Sequence, residues 1–145
     1  KSNKSFDKLK AIWQDRDVLI VEGKLTRSGE GNDLFAGARS IKRIVCPAKN
    51  AYSKLEQIES AIRENADNRL VLVMLGPTAK VVVDDLRDMD NQIIDLGHID
   101  SEYEWYKMKT LYAVALPNKH SAEFDLGVTL KKDTTFDNEV VAEIK

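Results

Sequence analysis

The sequence predicts an α/β fold: a Rossmann-like, open and mainly parallel sheet with helices on both faces. Three observations predict it. Short apolar runs rich in β-branched residues recur along the chain, amphipathic stretches of helical period lie between them, and each run stops at a glycine or a proline.

Taken in order, Phe6, Leu9 and Trp13 fall at helical spacing, with Lys8 and Lys10 free to face water, and predict a short entry helix. Val18-Leu19-Ile20-Val21, closed by Glu22-Gly23, has the pattern of a strand buried on both faces. Ile41 to Cys46 repeats that pattern ahead of Pro47. Leu70 to Leu75 repeats it ahead of Gly76-Pro77, and the shorter run Gln92 to Leu96 ends at Gly97. Ser53 to Asn65 predicts a helix with Leu55, Ile58 and Ile62 on one stripe, and Ser53 with Glu56 reads as a capping box. Thr78 to Met89 predicts another, with Val82, Val83, Leu86 and Met89 inward and Thr78 able to serve as N-cap. Four strands joined by helical crossovers describe a doubly wound sheet. Residues 1–117 are expected to form this unit. Residues 118–145 form a C-terminal extension in which Val140-Val141-Ala142 is either an appended strand or loose chain.

At 145 residues, 43% hydrophobic and 32% charged, the chain suits one globular domain, and no apolar run approaches the roughly 20 residues of a membrane-spanning helix. Its 22 basic and 24 acidic residues leave a formal charge of −2, which provides no field to attract nucleic acid. A small-molecule partner is the better expectation, and self-association is left open. Cys46 is the single cysteine, reads as a small buried hydrophobe, and favours a cytoplasmic location. A chain beginning at Lys1 with no signal peptide is expected to be a segment of a longer protein.

Ligands of open parallel sheets sit at the carboxyl ends of the strands, where loops meet helix N-termini that favour anions. The first strand end carries Lys24, Arg27, Asn32 and Asp33 among glycines and hydroxyls. Such a loop could hold a diphosphate, and it also reads as a solvated surface loop; Gly29-x-Gly31 lacks the third glycine of a dinucleotide fingerprint. The second end offers Asn50 to read a base or ribose and Tyr52 to stack on it. The third offers Gly76 and Thr78. The fourth is richest in titratable groups, since His98 follows Gly97 and Asp100, Glu102 and Glu104 follow as a helix begins. Ser101 with Glu104 also makes a capping box there, and His120 reads as a surface residue. A different Rossmann-type enzyme, a hydrolase or a redox enzyme, is the weaker rival, since neither a Gly-x-Ser-x-Gly elbow nor the dinucleotide fingerprint is present.

Read together, Val18-Leu-Ile-Val-Glu-Gly-Lys24, Arg27-Ser-Gly-Glu-Gly-Asn-Asp-Leu-Phe35, Ser40-Ile-Lys-Arg-Ile-Val-Cys-Pro-Ala-Lys-Asn-Ala51, Leu75-Gly-Pro-Thr-Ala-Lys80 and Asp95-Leu-Gly-His-Ile-Asp-Ser-Glu-Tyr-Glu-Trp105 resemble the GT-D family of bacterial glycosyltransferases. The likeness runs from about Trp13 to about Glu123. It implies a metal-dependent hexosyltransferase that moves glucose from uridine diphosphate glucose to a glycan on a bacterial surface protein or polymer, with Mn²⁺ or Mg²⁺ as cofactor. His98 and Glu104 match the family's active-site motif. Lys24, Arg27, Asn32, Asp33, Asn50 and Thr78 match as donor contacts or phosphate holders, and His98 with Asp100 are the metal-ligand candidates in this chain. The family's Asp-x-Glu metal pair, within a Gly-Asp-Gly-Glu type stretch, has no equivalent here and is expected upstream. The chain is then the C-terminal portion of a catalytic domain. The alternative that follows is a nucleotide-binding or interaction module without catalysis of its own.

Overall fold

The computed structural model describes residues 3–30, 33–97, 99, 102–103 and 134–145. Asn32, His98, Asp100, Ser101, Glu104 and His120, each singled out above, lie outside the described residues.

Helix α1 (Asn3–Trp13) leads into β1 (Asp17–Gly23) and β2 (Ser40–Cys46). A single 3₁₀ turn (Ala51–Lys54) then runs into α2 (Leu55–Asn65), followed by β3 (Leu70–Met74), α3 (Thr78–Asp85) and β4 (Ile93–Asp95). At the end of the chain, α4 (Thr134–Glu139) passes directly into β5 (Val140–Glu143). The strands form a sheet of order β4-β3-β1-β2-β5, and every pairing is parallel. The doubly wound expectation therefore holds, and residues 140–143 join the same sheet at the edge beside β2.

Strand β1 is central, so its side chains alternate between two covered faces. Leu19 and Val21 meet Ile58 and Ile62 of α2 and Val82 and Leu86 on one side. Val18 and Ile20 meet Phe6, Trp13, Leu34 and Phe35 on the other. Continuous apolar strands are what double coverage requires, and each fully buried aliphatic side chain contributes about 1.5–3 kcal/mol. From β1 the chain steps to β2, then reverses past β1 to β3. The two crossovers accordingly cover opposite faces, as right-handed connections demand when direction reverses.

Four local expectations are corrected. Among the described residues the β1–β2 crossover carries no helix; it is a series of turns pinned by Leu34 and Phe35, with the Trp13 indole N–H donating to the Leu34 carbonyl at 2.9 Å. Glycine supplies the reason: Gly29 has φ +78°, and a Cβ there would stand 2.7 Å from the Phe35 ring. The Ser53 box is not formed, because the Ser53 hydroxyl donates to the Asn50 carbonyl at 2.7 Å and α2 begins only at Leu55. Thr78 is the first helical residue, behind Pro77, and caps nothing with its side chain. That helix also stops at Asp85, four residues short of the expected end, although Leu86 stays buried and Met89 half-buried in the turns that follow.

Where α2 meets α3, Glu59 lies against Asp85. Burial, and then the neighbouring Asp85 carboxylate, push Glu59 up to about 7 from an ordinary value of 4.5. A carboxyl raised on folding stabilises the native state below its unfolded pKa, and the contribution is lost as pH rises through 7. Glu59→Gln is therefore expected to melt above the parent protein at pH 8, by on the order of 1 kcal/mol after solvent screening, and level with it only below the ordinary value of 4.5, at about pH 4. Thermal melts at the two pH values measure this, and an equal difference at both would contradict it.

Candidate functional site

The reversal of direction opens a crevice between the carboxyl ends of β1 and β3, where adjoining loops depart to opposite faces. Ligands of open parallel sheets collect at such a point. A cavity of about 320 Å³ lies there, and all four strand ends that drew attention in the sequence border it.

Each contributes a part held by local structure. After β1, the Thr26 amide donates to the Gly23 carbonyl at 3.0 Å, and this tight turn brings Thr26 to the cavity. After β2, Asn50 is left-handed (φ 58°), a conformation asparagine tolerates better than most residues, and its carbonyl accepts both the Ser53 amide and hydroxyl. Asn50 and the exposed Tyr52 ring both line the cavity. After β3, Gly76 (φ +59°) turns the backbone, and no heavy atom lies within 4 Å of where its Cβ would be. Thr78 follows at the first turn of α3. After β4, the Gly97 amide donates to the Asp95 carboxylate at 3.0 Å, and Gly97 itself lines the cavity.

The lining thus offers neutral hydroxyl and amide groups, one aromatic face, and the positive end of α3. That combination suits a ligand with a planar ring at one end and an anion at the other. Cys46 does not serve as a nucleophile beside it, because burial and then the charge of Glu22 push its thiol up to about 12.

The structure divides the residues singled out in the sequence. Asn50 and Thr78 reach the cavity. Lys24 and Arg27 instead border a separate hollow against Phe136 and β5. Arg27 is 6% exposed, ion-paired with Glu30 through two guanidinium nitrogens, with its guanidinium carbon 4.1 Å from the centre of the Phe136 ring. Asp33 accepts the Tyr103 hydroxyl at 2.6 Å and the Lys10 ammonium at 3.4 Å, which ties α1 and the start of the β1–β2 crossover to the segment after β4.

Sequence reading missed Thr26 as a lining residue, and it missed a buried polar network beneath the first loop. Glu22 is fully buried; one carboxylate oxygen accepts the Ser28 amide at 2.8 Å and the Ser28 hydroxyl at 2.6 Å, and the other accepts Arg43 at 2.8 Å. Arg43 donates its remaining edge to Glu139 at 2.7 Å. Burial opposes the charge of Arg43, but Glu22 and Glu139 together hold its pKa above the ordinary value. A signal was available: Glu22 is in phase with Val18 and Ile20, and Arg43 with Ile41, so opposite charges point to the same covered face of adjacent strands.

Comparison with known proteins agrees with this geometry. A family model described as "Glycosyltransferase GT-D fold" matches residues 1–124. The chain is 57% identical over 141 residues to a "Probable glycosyl transferase Gly" of Streptococcus gordonii, which accounts for 96% of this chain and 21% of that protein. It is 51% identical over 141 residues, 96% of this chain, to "Glycosyltransferase GlyD" of Streptococcus pneumoniae serotype 4 (strain ATCC BAA-334 / TIGR4), of which it covers 17%. A solved structure described as "A New Glycosyltransferase (DUF1792) from Streptococcus sanguinis" superposes with a TM-score of 0.94 at 57% identity, covering 98% of this chain and 54% of that one. Another, described as a domain with "a distinct glycosyltransferase fold", gives 0.94 at 54% identity, covering 98% and 52%. The chain spans about a fifth of the curated relatives it matches and about half of these solved structures.

Proposed function

This chain belongs to the GT-D family of glycosyltransferases, and from that premise we propose that its cavity receives the nucleotide of an activated sugar, uridine diphosphate glucose, for transfer to a glycan on a bacterial surface protein or polymer. One observation carries the reading: a cavity lined by hydroxyl, amide and aromatic groups at the switch point between β1 and β3, with α3 beginning on its wall. Tyr52 and Asn50 take the base and ribose, and Thr78 with the backbone at the start of α3 takes phosphate oxygens. Arg27 and Asp33 act by shaping the loop that bears Thr26, Lys24 supplies a cation at its edge, and Asn32 belongs to the same loop.

In the transfer step the acceptor hydroxyl oxygen forms a bond to the anomeric carbon as the bond from that carbon to the diphosphate oxygen breaks. Glu104 accepts the hydroxyl proton and the nucleoside diphosphate departs with the bonding pair. A divalent ion, Mn²⁺ or Mg²⁺, would supply charge neutralisation for the departing diphosphate. The described lining provides only neutral oxygen donors, at Thr26, Asn50 and Thr78, which do not by themselves hold such an ion, and no cluster of three acidic, histidine or cysteine side chains exists among the described residues. His98 and Asp100 are the chain's proposed ligands. No helix among the described residues is long and apolar enough to cross a membrane. A nucleotide-activated donor suits a cytoplasmic reaction.

Calorimetry with uridine diphosphate, with and without manganese, together with an assay of glucose transfer from the labelled donor, tests the proposal. Micromolar to millimolar binding with turnover supports it; metal-independent binding without turnover makes the chain a binding module; no binding overturns it. His98→Ala is expected to raise the manganese concentration for half-maximal donor binding by about tenfold or more. An unaltered titration would remove His98 from the metal site.

A further inference from the structure

The loop that brings Thr26 to the cavity has a pocket side and a buried side. On the buried side Arg27 has φ +42°, a left-handed conformation that is strained for a residue with a Cβ and persists only where its surroundings hold it. Glu30, three residues on, holds its guanidinium locally, and the rest of what holds it is remote in sequence. The Phe136 ring packs against two guanidinium groups, with Arg27 at 4.1 Å and Arg43 at 4.4 Å from its centre. Glu139, one helical turn on, accepts from Arg43. Arg43 in turn faces Glu22, whose other oxygen grips the Ser28 amide and hydroxyl. Thr26 is thus followed by two residues, Arg27 and Ser28, both fastened to a network that α4 completes.

We propose that Phe136 and Glu139 are positioning residues for the donor cavity, acting through Arg27 and Arg43 to hold the Thr26 turn in its binding geometry. The inference rests on the reading of the cavity as a nucleotide site. Two buried cations flanking one ring repel each other unless each keeps its carboxylate, Glu30 for Arg27 and Glu22 with Glu139 for Arg43. Substituting the ring by an aliphatic side chain of similar bulk removes its negative face while leaving the hollow filled. Arg27 then keeps Glu30 but loses the ring that covers it, so its backbone relaxes and Thr26, its neighbour, moves with it. The strands, whose cores lie elsewhere, stay in place.

The test compares Phe136→Leu, Phe136→Tyr and Glu139→Gln with the unaltered protein, by calorimetry with uridine diphosphate, donor steady-state kinetics and amide hydrogen exchange. For Phe136→Leu the expected result is a tenfold or greater rise in Kd and in donor KM with kcat changed less than threefold. Exchange at the Ser28 amide is expected to be at least tenfold faster, and exchange in β1 and β3 unaltered. Phe136→Tyr keeps the ring face and is expected to restore binding. Glu139→Gln is expected to shift Kd and exchange in the same direction by about threefold, and it carries the test if Phe136→Leu does not fold. An unchanged Kd, a fall in kcat alone, or a Tyr variant as weak as the Leu variant would overturn the inference. Failure of the unaltered protein to bind uridine diphosphate would overturn the nucleotide reading instead, and the exchange comparison would still show whether α4 holds the loop.

Discussion

In the complete catalytic domain, Glu104→Gln is expected to lower sugar transfer by about 10²–10⁴-fold while affinity for uridine diphosphate stays within about a factor of two. The amide keeps the shape of the side chain and one hydrogen-bonding oxygen but cannot take the acceptor proton. The loss should therefore fall equally on kcat and kcat/KM, the signature of an interaction made only in the transition state. Tyr103, the residue before Glu104, is 5% exposed, packs edge-on against Phe6 with ring centroids 5.0 Å apart, and donates its hydroxyl to Asp33. Glu102, one residue earlier, is exposed, so Glu102→Gln is the natural control for which carboxylate acts. Initial rates with saturating donor measure the effect. Transfer unchanged in Glu104→Gln would remove it from the mechanism.

Arg43→Met carries the second large effect, on stability. Removing the guanidinium leaves the fully buried Glu22 carboxylate facing only the two donors of Ser28, and breaking a buried pair from one side costs about 3–5 kcal/mol. For a chain of this size that is a fall in Tm of about 10–20 °C. The double variant Arg43→Met/Glu22→Leu has no buried charge to desolvate at that pair and should recover much of the loss, although Glu139 then loses its partner. Melting curves of the two single variants and the double one measure the coupling. A single-variant loss below about 1 kcal/mol would show that water or another cation reaches Glu22, contrary to its burial.

Much of the fold was legible because a parallel strand covered on both faces has little choice but to be apolar throughout. Val18 to Val21, Ile41 to Cys46 and Leu70 to Leu75 could be read directly, and the ladder merely extended the first of them over Asp17 and Glu22–Gly23 and the second over Ser40. The strand ends that border the cavity were legible for the same reason. Which loop side chains turn towards it was not. Arg27 and Asn50 are both polar residues in loops rich in turn-forming types, yet one is buried against Phe136 and the other lines the cavity. Their sequence neighbourhoods do not distinguish them, because the ring that covers Arg27 stands more than a hundred positions away, even though its carboxylate partner Glu30 is close in sequence. Ser53 and Thr78 failed as caps for a related reason: the backbone at Asn50 and Pro77 supplied other geometry at those helix starts.

The sequence by itself determined the parallel sheet, the order of its elements and the four strand ends where a ligand could sit, since all of these follow from local apolar periodicity and turn chemistry. Only the tertiary structure decided that the chain reverses between β1 and β3, so that their ends open into one cavity, and that a C-terminal helix and strand lock the first loop from behind. The physical reason is that periodicity records which face of an element is buried, whereas a buried charge such as Arg43 is stabilised by whichever carboxylates the fold happens to bring around it.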